Sequence, residues 1–145
     1  MKRSEALAPL SRDHHYALVV ASALTRADQR TARSSAMLFA DFVLEHVDGH
    51  FGIEESLLLP ALPDDDAGRH LAGRVLDDHR YLRKAAAELR HADDDPNIDH
   101  LRTLGARLRS HVQLEERELF PRLETALDEA SLAQLGERIA QSVQE

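Results

Sequence analysis

A pattern of one histidine, two adjacent glutamates and a proline occurs twice in this chain, and its internal spacing suits a helix. His50-Phe51-Gly52-Ile53-Glu54-Glu55-Ser56-Leu57-Leu58-Leu59-Pro60-Ala61-Leu62 is answered sixty-one positions later by His111-Val112-Gln113-Leu114-Glu115-Glu116-Arg117-Glu118-Leu119-Phe120-Pro121-Arg122-Leu123. A second echo lies upstream of each copy, Asp13-His14-His15-Tyr16 before the first and Asp78-His79-Arg80-Tyr81 before the second. Residues four apart share a helix face, so His50 pairs with Glu54 and His111 with Glu115.

The rest of the chain reads as helix too. It is rich in Ala, Leu, Glu and Arg, with six Gly, five Pro and few aromatics, which favours helix over sheet. Its 145 residues predict one domain, able to bury a core without a metal merely to fold. The expected extent is a bundle over about 7–124 and an amphipathic tail over 125–145. Pro9-Leu10-Ser11 opens a first helix whose apolar stripe Leu10, Ala17, Leu18, Ala21 and Leu24 includes His14. A polar turn follows at Asp28-Gln29-Arg30-Thr31, and Ser34-Ser35 offers a cap for the second helix. That helix carries Phe39, Val43, Val47, His50, Ile53, Glu54, Leu57 and Leu58 on one face. Gly49 and Gly52 weaken it by up to about 1 kcal/mol each relative to Ala, which points to close packing or local bending. Pro60, Pro63 and Asp64-Asp65-Asp66 end it. A third helix over about 67–91 places His79 in the stripe Leu71, Val75, Leu76, Leu82, Ala86 and Leu89. The fourth carries Leu101, Leu104, Leu108, His111, Val112, Glu115 and Leu119, with Pro121 at its end or at a kink. Leu132, Leu135, Ile139 and Val143 line a short C-terminal helix that caps the bundle or makes a dimer contact.

The expected fold is therefore all-α: an up-down-up-down four-helix bundle made of two pseudo-symmetric hairpins, plus the C-terminal helix. Antiparallel packing can gather His14, His50, Glu54, His79, His111 and Glu115 in one layer. Burying two carboxylates and four imidazoles without compensation would cost about several kcal/mol, and cations would offset that cost. The chain contains no cysteine, so any metal must be held by nitrogen and oxygen, a donor set that suits iron and also zinc or manganese. Glu54 and Glu115 are expected to bridge two ions or lie close to bridging them, with the four histidines as terminal ligands.

The order and spacing of Asp13-His14, His50-Phe51-x-x-Glu54-Glu55, Asp78-His79 and His111-x-x-x-Glu115-Glu116 resemble the hemerythrin-like, or HHE cation-binding, family. The resemblance covers about residues 7–124. It implies a four-helix bundle holding a non-haem di-iron centre, two iron ions bridged by carboxylates and an oxo or hydroxo group. Such a centre binds dioxygen or responds to oxygen, nitric oxide or peroxide. Oxygen-carrying members have a fifth histidine four positions before the one matched by His79. Here that position is Val75, which moves the reading from carrier towards sensor or redox protein. An enzyme acting on peroxide or nitric oxide, and a structural or iron-handling bundle, are the alternatives; a metal- and oxygen-binding protein is preferred to a dedicated enzyme.

His46, one turn before His50, is either a further ligand, a group supporting one, or an exposed residue; its counterpart in the repeat is Arg107. His15 is assigned to the surroundings of the site or to the surface. Asp13 and Asp78 either orient imidazoles or are solvated charges paired with Arg. Glu55, Glu116 and Glu118 are expected to face solvent, and His70, His91 and His100 to lie near loops, apart from the site. Glu88-Leu89-Arg90-His91 has the spacing of a ferritin-like ligand pair, but that fold needs two such motifs and one is present.

A formal net charge of −8 argues against nucleic acid as the main partner. After Met1-Lys2-Arg3 no apolar run forms a leader, and no segment is long enough to span a membrane. The expectation is a cytoplasmic protein, monomer or weak homodimer, whose partner is dioxygen, another diatomic or peroxide. A signalling partner is not named by the residues.

Overall fold

A computed structural model describes residues 3–144, so Met1 and Lys2 of the leader-like start, and Glu145, lie outside the described residues. Five helices make up the fold, with no strand among the described residues. Helix α1 spans Ala8–Thr25. Helix α2 is composite: Ala32–Asp41, a π-helical turn Phe42–Val47, an α segment Asp48–Ile53, a second π turn Glu54–Leu58 and a 3-10 turn Leu59–Ala61. Helix α3 spans Asp66–His91. Helix α4 runs from Ile98–Leu114 through a π turn Glu115–Leu119 into Phe120–Ala126. Helix α5 spans Glu129–Gln144.

Side chains that accept the orphan amide hydrogens at helix starts set these boundaries. Asp65 accepts from Gly68 N, Asn97 from His100 N and Asp128 from Ser131 N. The expected Ser34-Ser35 cap is not used. Helix α2 starts earlier, at Ala32, and Asp28 Oδ1 accepts from the amides of Arg30 and Thr31 just ahead of it. Nor does packing explain Gly49 and Gly52, since a Cβ at either would have nothing within 4 Å. Both lie in the short α segment between two π turns, which leaves local bending as their setting. Close approach is instead found at Gly105, where a Cβ would sit 2.8 Å from the Ala21 carbonyl oxygen and 2.9 Å from Leu24 Cβ. A larger residue there would push α4 off α1.

The helices pack in a ring, α1 on α2, α2 on α3, α3 on α4 and α4 on α1. Two apolar clusters fill the interior. Val20, Leu24, Phe39, Val43, Leu82, Leu101, Leu104 and Leu108 belong to one. Leu7, Leu10, Leu58, Leu71, Val75, Leu119, Phe120 and Leu123 belong to the other, where Leu135 and Ile139 of α5 close the end of the bundle. Between them lies a polar layer. Along each helix it falls where one cluster gives way to the other: His14 between Leu10 and Ala17, and His79 between Val75 and Leu82.

Candidate metal centre

All six of the side chains expected to meet do so. His14, His50, Glu54, His79, His111 and Glu115 are each at most 7% exposed. Their donor atoms form two groups of four that share both glutamates: His14, His50, Glu54 and Glu115 in one, Glu54, His79, His111 and Glu115 in the other. Within each group every donor atom lies within 4.8 Å of every other. We call these the His14 position and the His79 position.

The imidazoles point Nε2 inward. His50 Nε2 and His79 Nε2 lie 3.0 and 2.9 Å from the two oxygens of Glu54, and His14 Nε2 lies 2.9 Å from Glu115 Oε1. His111 Nε2 and Glu115 Oε2, 3.4 Å apart, are buried with no hydrogen-bond partner among the described residues. A nitrogen and a carboxylate oxygen orphaned side by side in the interior are costly and are the donor types a divalent cation would satisfy. The residues present therefore fit metal.

Each outward Nδ1 meets a carboxylate on a neighbouring helix. His50 donates to Asp13 at 3.0 Å, His79 to Glu55 at 2.6 Å, His111 to Asp78 at 2.9 Å and His14 to Glu116 at 2.6 Å. Proton placement on Nδ1 leaves the Nε2 lone pair for the interior. Asp13 and Asp78 thus orient imidazoles, not of the adjacent histidine but of the next helix. Glu55 and Glu116 correct the sequence expectation, because neither simply faces solvent. Each lies about 100° around the helix from the inward glutamate before it, on the flank from which a long side chain reaches the neighbouring helix. Glu118 is exposed as expected.

Aromatic rings and guanidinium groups complete the walls, and sequence reasoning missed them. Phe51 stacks on His79 with centroids 3.8 Å apart, and Phe120 stacks on His14 at 5.5 Å. Arg83 lies over Phe51 and bonds Glu55 at 2.8 Å; Arg3 lies over Phe120 and reaches Glu116 at 3.2 Å. Both sides thus carry an Arg-Phe-His stack, although Phe51 and Phe120 occupy different positions of the repeat. The π turns were also missed. Leu59 N–H reaches back to the Glu54 carbonyl and Phe120 N–H to the Glu115 carbonyl, so two of the three wide turns start at an inward glutamate, the third being Phe42–Val47. Pro60 and Pro121 are the signal: each follows directly, lacks an N–H and crowds the carbonyl four residues back.

His46 and His15 are exposed and belong to neither group, and so do His70, His91 and His100. Val75 is fully buried in the apolar cluster next to the layer.

The metal-free electrostatics follow from this packing. For His111, burial would lower the pKa, but the nearby Glu115 charge and the bond to Asp78 prevail and raise it from 6.5 to about 10. His14 and His50 are raised too, burial being outweighed by their carboxylates. For Glu116, burial would raise the pKa, yet the bonds from His14 and Ser11 hold it down from 4.5 to about 2. A raised histidine contributes stability present below pH 6.5 and lost as pH climbs through about 10. A lowered glutamate contributes stability present above 4.5 and lost as pH falls through about 2. The metal-free protein is therefore expected to be most stable between about pH 4.5 and 6.5. Urea midpoints from pH 3 to 10 check this; a midpoint still rising from pH 7 to 10 would contradict it.

No curated protein and no solved structure matches the chain. A family match does exist, over residues 6–123, to the Hemerythrin HHE cation binding domain. Set beside a helical bundle with a buried layer of four histidines and two shared glutamates, that match places the chain in the hemerythrin HHE cation-binding family.

Proposed function

We propose that this bundle holds two iron ions in the two groups, with Glu54 and Glu115 shared between them, and uses them to bind dioxygen or to respond to oxygen, nitric oxide or redox state. The observation that carries the reading is a small cavity of about 20 Å³ against the layer. His14, His50, His111 and Glu115 border it, and Ala17, Phe42, Val47, Phe51, Leu108 and Val112 form its apolar wall. That volume is about one water-sized molecule, a size that admits a diatomic. Iron would supply reversible redox chemistry and a coordination position for such a ligand.

The chain's own residues do the rest. The carboxylate-bound imidazoles hold their lone pairs inward, and the apolar wall limits water. Apart from Asp13 and the proposed ligands, no titratable group among the described residues borders the cavity. A site with so few proton donors favours binding over sustained turnover of peroxide. The match of the two positions, with two imidazoles each and Val75 in place of a fifth histidine, supports a sensor or redox protein over a carrier.

The test is anaerobic loading with ferrous iron followed by oxygen. Near-ultraviolet and visible bands that develop, and then fade on deoxygenation, are expected. Steady peroxide consumption or nitric oxide reduction would instead select an enzyme, and a bound, redox-inert zinc in protein purified without added metal would select a structural role.

No helix among the described residues is long and apolar enough to cross a membrane. We further propose a cytoplasmic setting, with the bundle acting as a monomer or weak dimer.

A further inference from the structure

The ligands and the carboxylates that hold them match between the two halves of the layer, but the support of one of those carboxylates does not. In the second half, Arg107 donates to Asp78 at 2.7 Å and lies over the Tyr81 ring at 4.4 Å, and Asp78 in turn holds His111. The repeat puts His46 where Arg107 stands, Asp13 where Asp78 stands and Tyr16 where Tyr81 stands. His46, Tyr16 and Asp13 line a surface groove together with His50. Asp13 holds His50 but has no Arg or Lys partner among the described residues, and its side chain is 61% exposed against 14% for Asp78. Tyr16 is left 47% exposed. The groove is thus the space that a guanidinium fills in the other half.

A carboxylate that is itself held fast keeps its imidazole oriented and basic, and loss of such support costs about 10–100-fold in metal affinity. His111 has that support and His50 lacks it. The orphaned His111 Nε2 belongs to the His79 position alone, whereas His14 Nε2 and His50 Nε2 each lie against a carboxylate oxygen, so an ion at the His79 position relieves a penalty that no imidazole of the His14 position carries. The remaining supports are alike: Glu55 is held by Arg83, and Glu116 by Arg3 and Ser11.

We infer that the two ion positions are unequal, the His79 position filling first and the His14 position holding its ion more weakly, with residue 107 against residue 46 setting the difference. This rests on the two-ion reading above. Arg107 acts as a positioning residue, through Asp78 on His111, and is no ligand itself.

The test is an anaerobic titration of metal-free, full-length protein with cobalt(II), followed by visible absorption and by equilibrium dialysis. Two separable steps are expected. Arg107→Met should weaken the first by about 10–100-fold and leave the second, and Arg107→Lys should recover part of the loss. His46→Arg, a surface change that does not threaten folding, should strengthen the second step by about tenfold and leave the first. Two ions taken up in one indistinguishable step, or substitutions at 46 and 107 that move the same step or neither, would overturn the inequality while leaving the two-ion centre intact. Failure of the unmodified protein to bind cobalt at all would overturn the centre itself.

Discussion

Glu115→Ala is expected to remove at least one metal ion and to destabilise the bundle by about 3–5 kcal/mol. Glu115 is fully buried, belongs to both groups of donors, lies 2.9 Å from His14 Nε2 and faces His111. Its loss strands two buried imidazoles at once. Glu54→Ala should behave alike, because the two Glu54 oxygens lie 3.0 and 2.9 Å from His50 Nε2 and His79 Nε2. The measurements are metal content by elemental analysis and denaturant unfolding. His100→Ala is the control and should change neither: its side chain is exposed, and only its backbone amide serves the α4 start. Two ions retained in both glutamate variants would remove the bridging assignment.

Stripping the metal from the intact protein should lower the melting temperature by about 10–20 °C without unfolding it at room temperature. Each ion present at about a hundred times its dissociation constant adds about 2.7 kcal/mol, and two such contributions set the size of the shift. The bundle survives because its apolar clusters are extensive and because most of the layer satisfies itself through imidazole–carboxylate bonds. Calorimetry before and after chelation decides it. Equal melting temperatures would show that the layer gains no stability from metal, and collapse to an unfolded chain would show that the apolar clusters had been overrated.

The helices and the six inward side chains were legible because both obey one rule. A helical stripe that carries Leu10, Ala17 and Leu24 must also carry His14 inward, and the second Asp-His-x-Tyr segment, in its own apolar stripe, places His79 the same way. Glu55 and Glu116 escaped because periodicity sorts residues into inward and outward, whereas these point sideways, across a helix–helix seam. Their signal was present in the doubled glutamate of both copies. Phe51 and Phe120 escaped for another reason: an apolar residue in an apolar stripe reads as filler, and their repeat counterparts, Val112 and Leu59, are not aromatic. Arg3 lies ahead of the first helix and far in sequence from Glu116, so no local pattern could join them. His46 was left with three readings. The structure places it at the surface, where its interest lies in what it replaces.

The outward imidazole bonds run from α1 to α2, α2 to α3, α3 to α4 and α4 back to α1, through Asp13, Glu55, Asp78 and Glu116 in turn. Only two kinds of bond occur, an aspartate to a histidine within a hairpin and a glutamate to a histidine between hairpins, each used twice. A single hairpin paired with an identical copy about a twofold axis would complete the whole circuit. Such a dimer of half-length chains needs no further invention to make the layer, and fusing its subunits frees each half to differ, as His46 differs from Arg107.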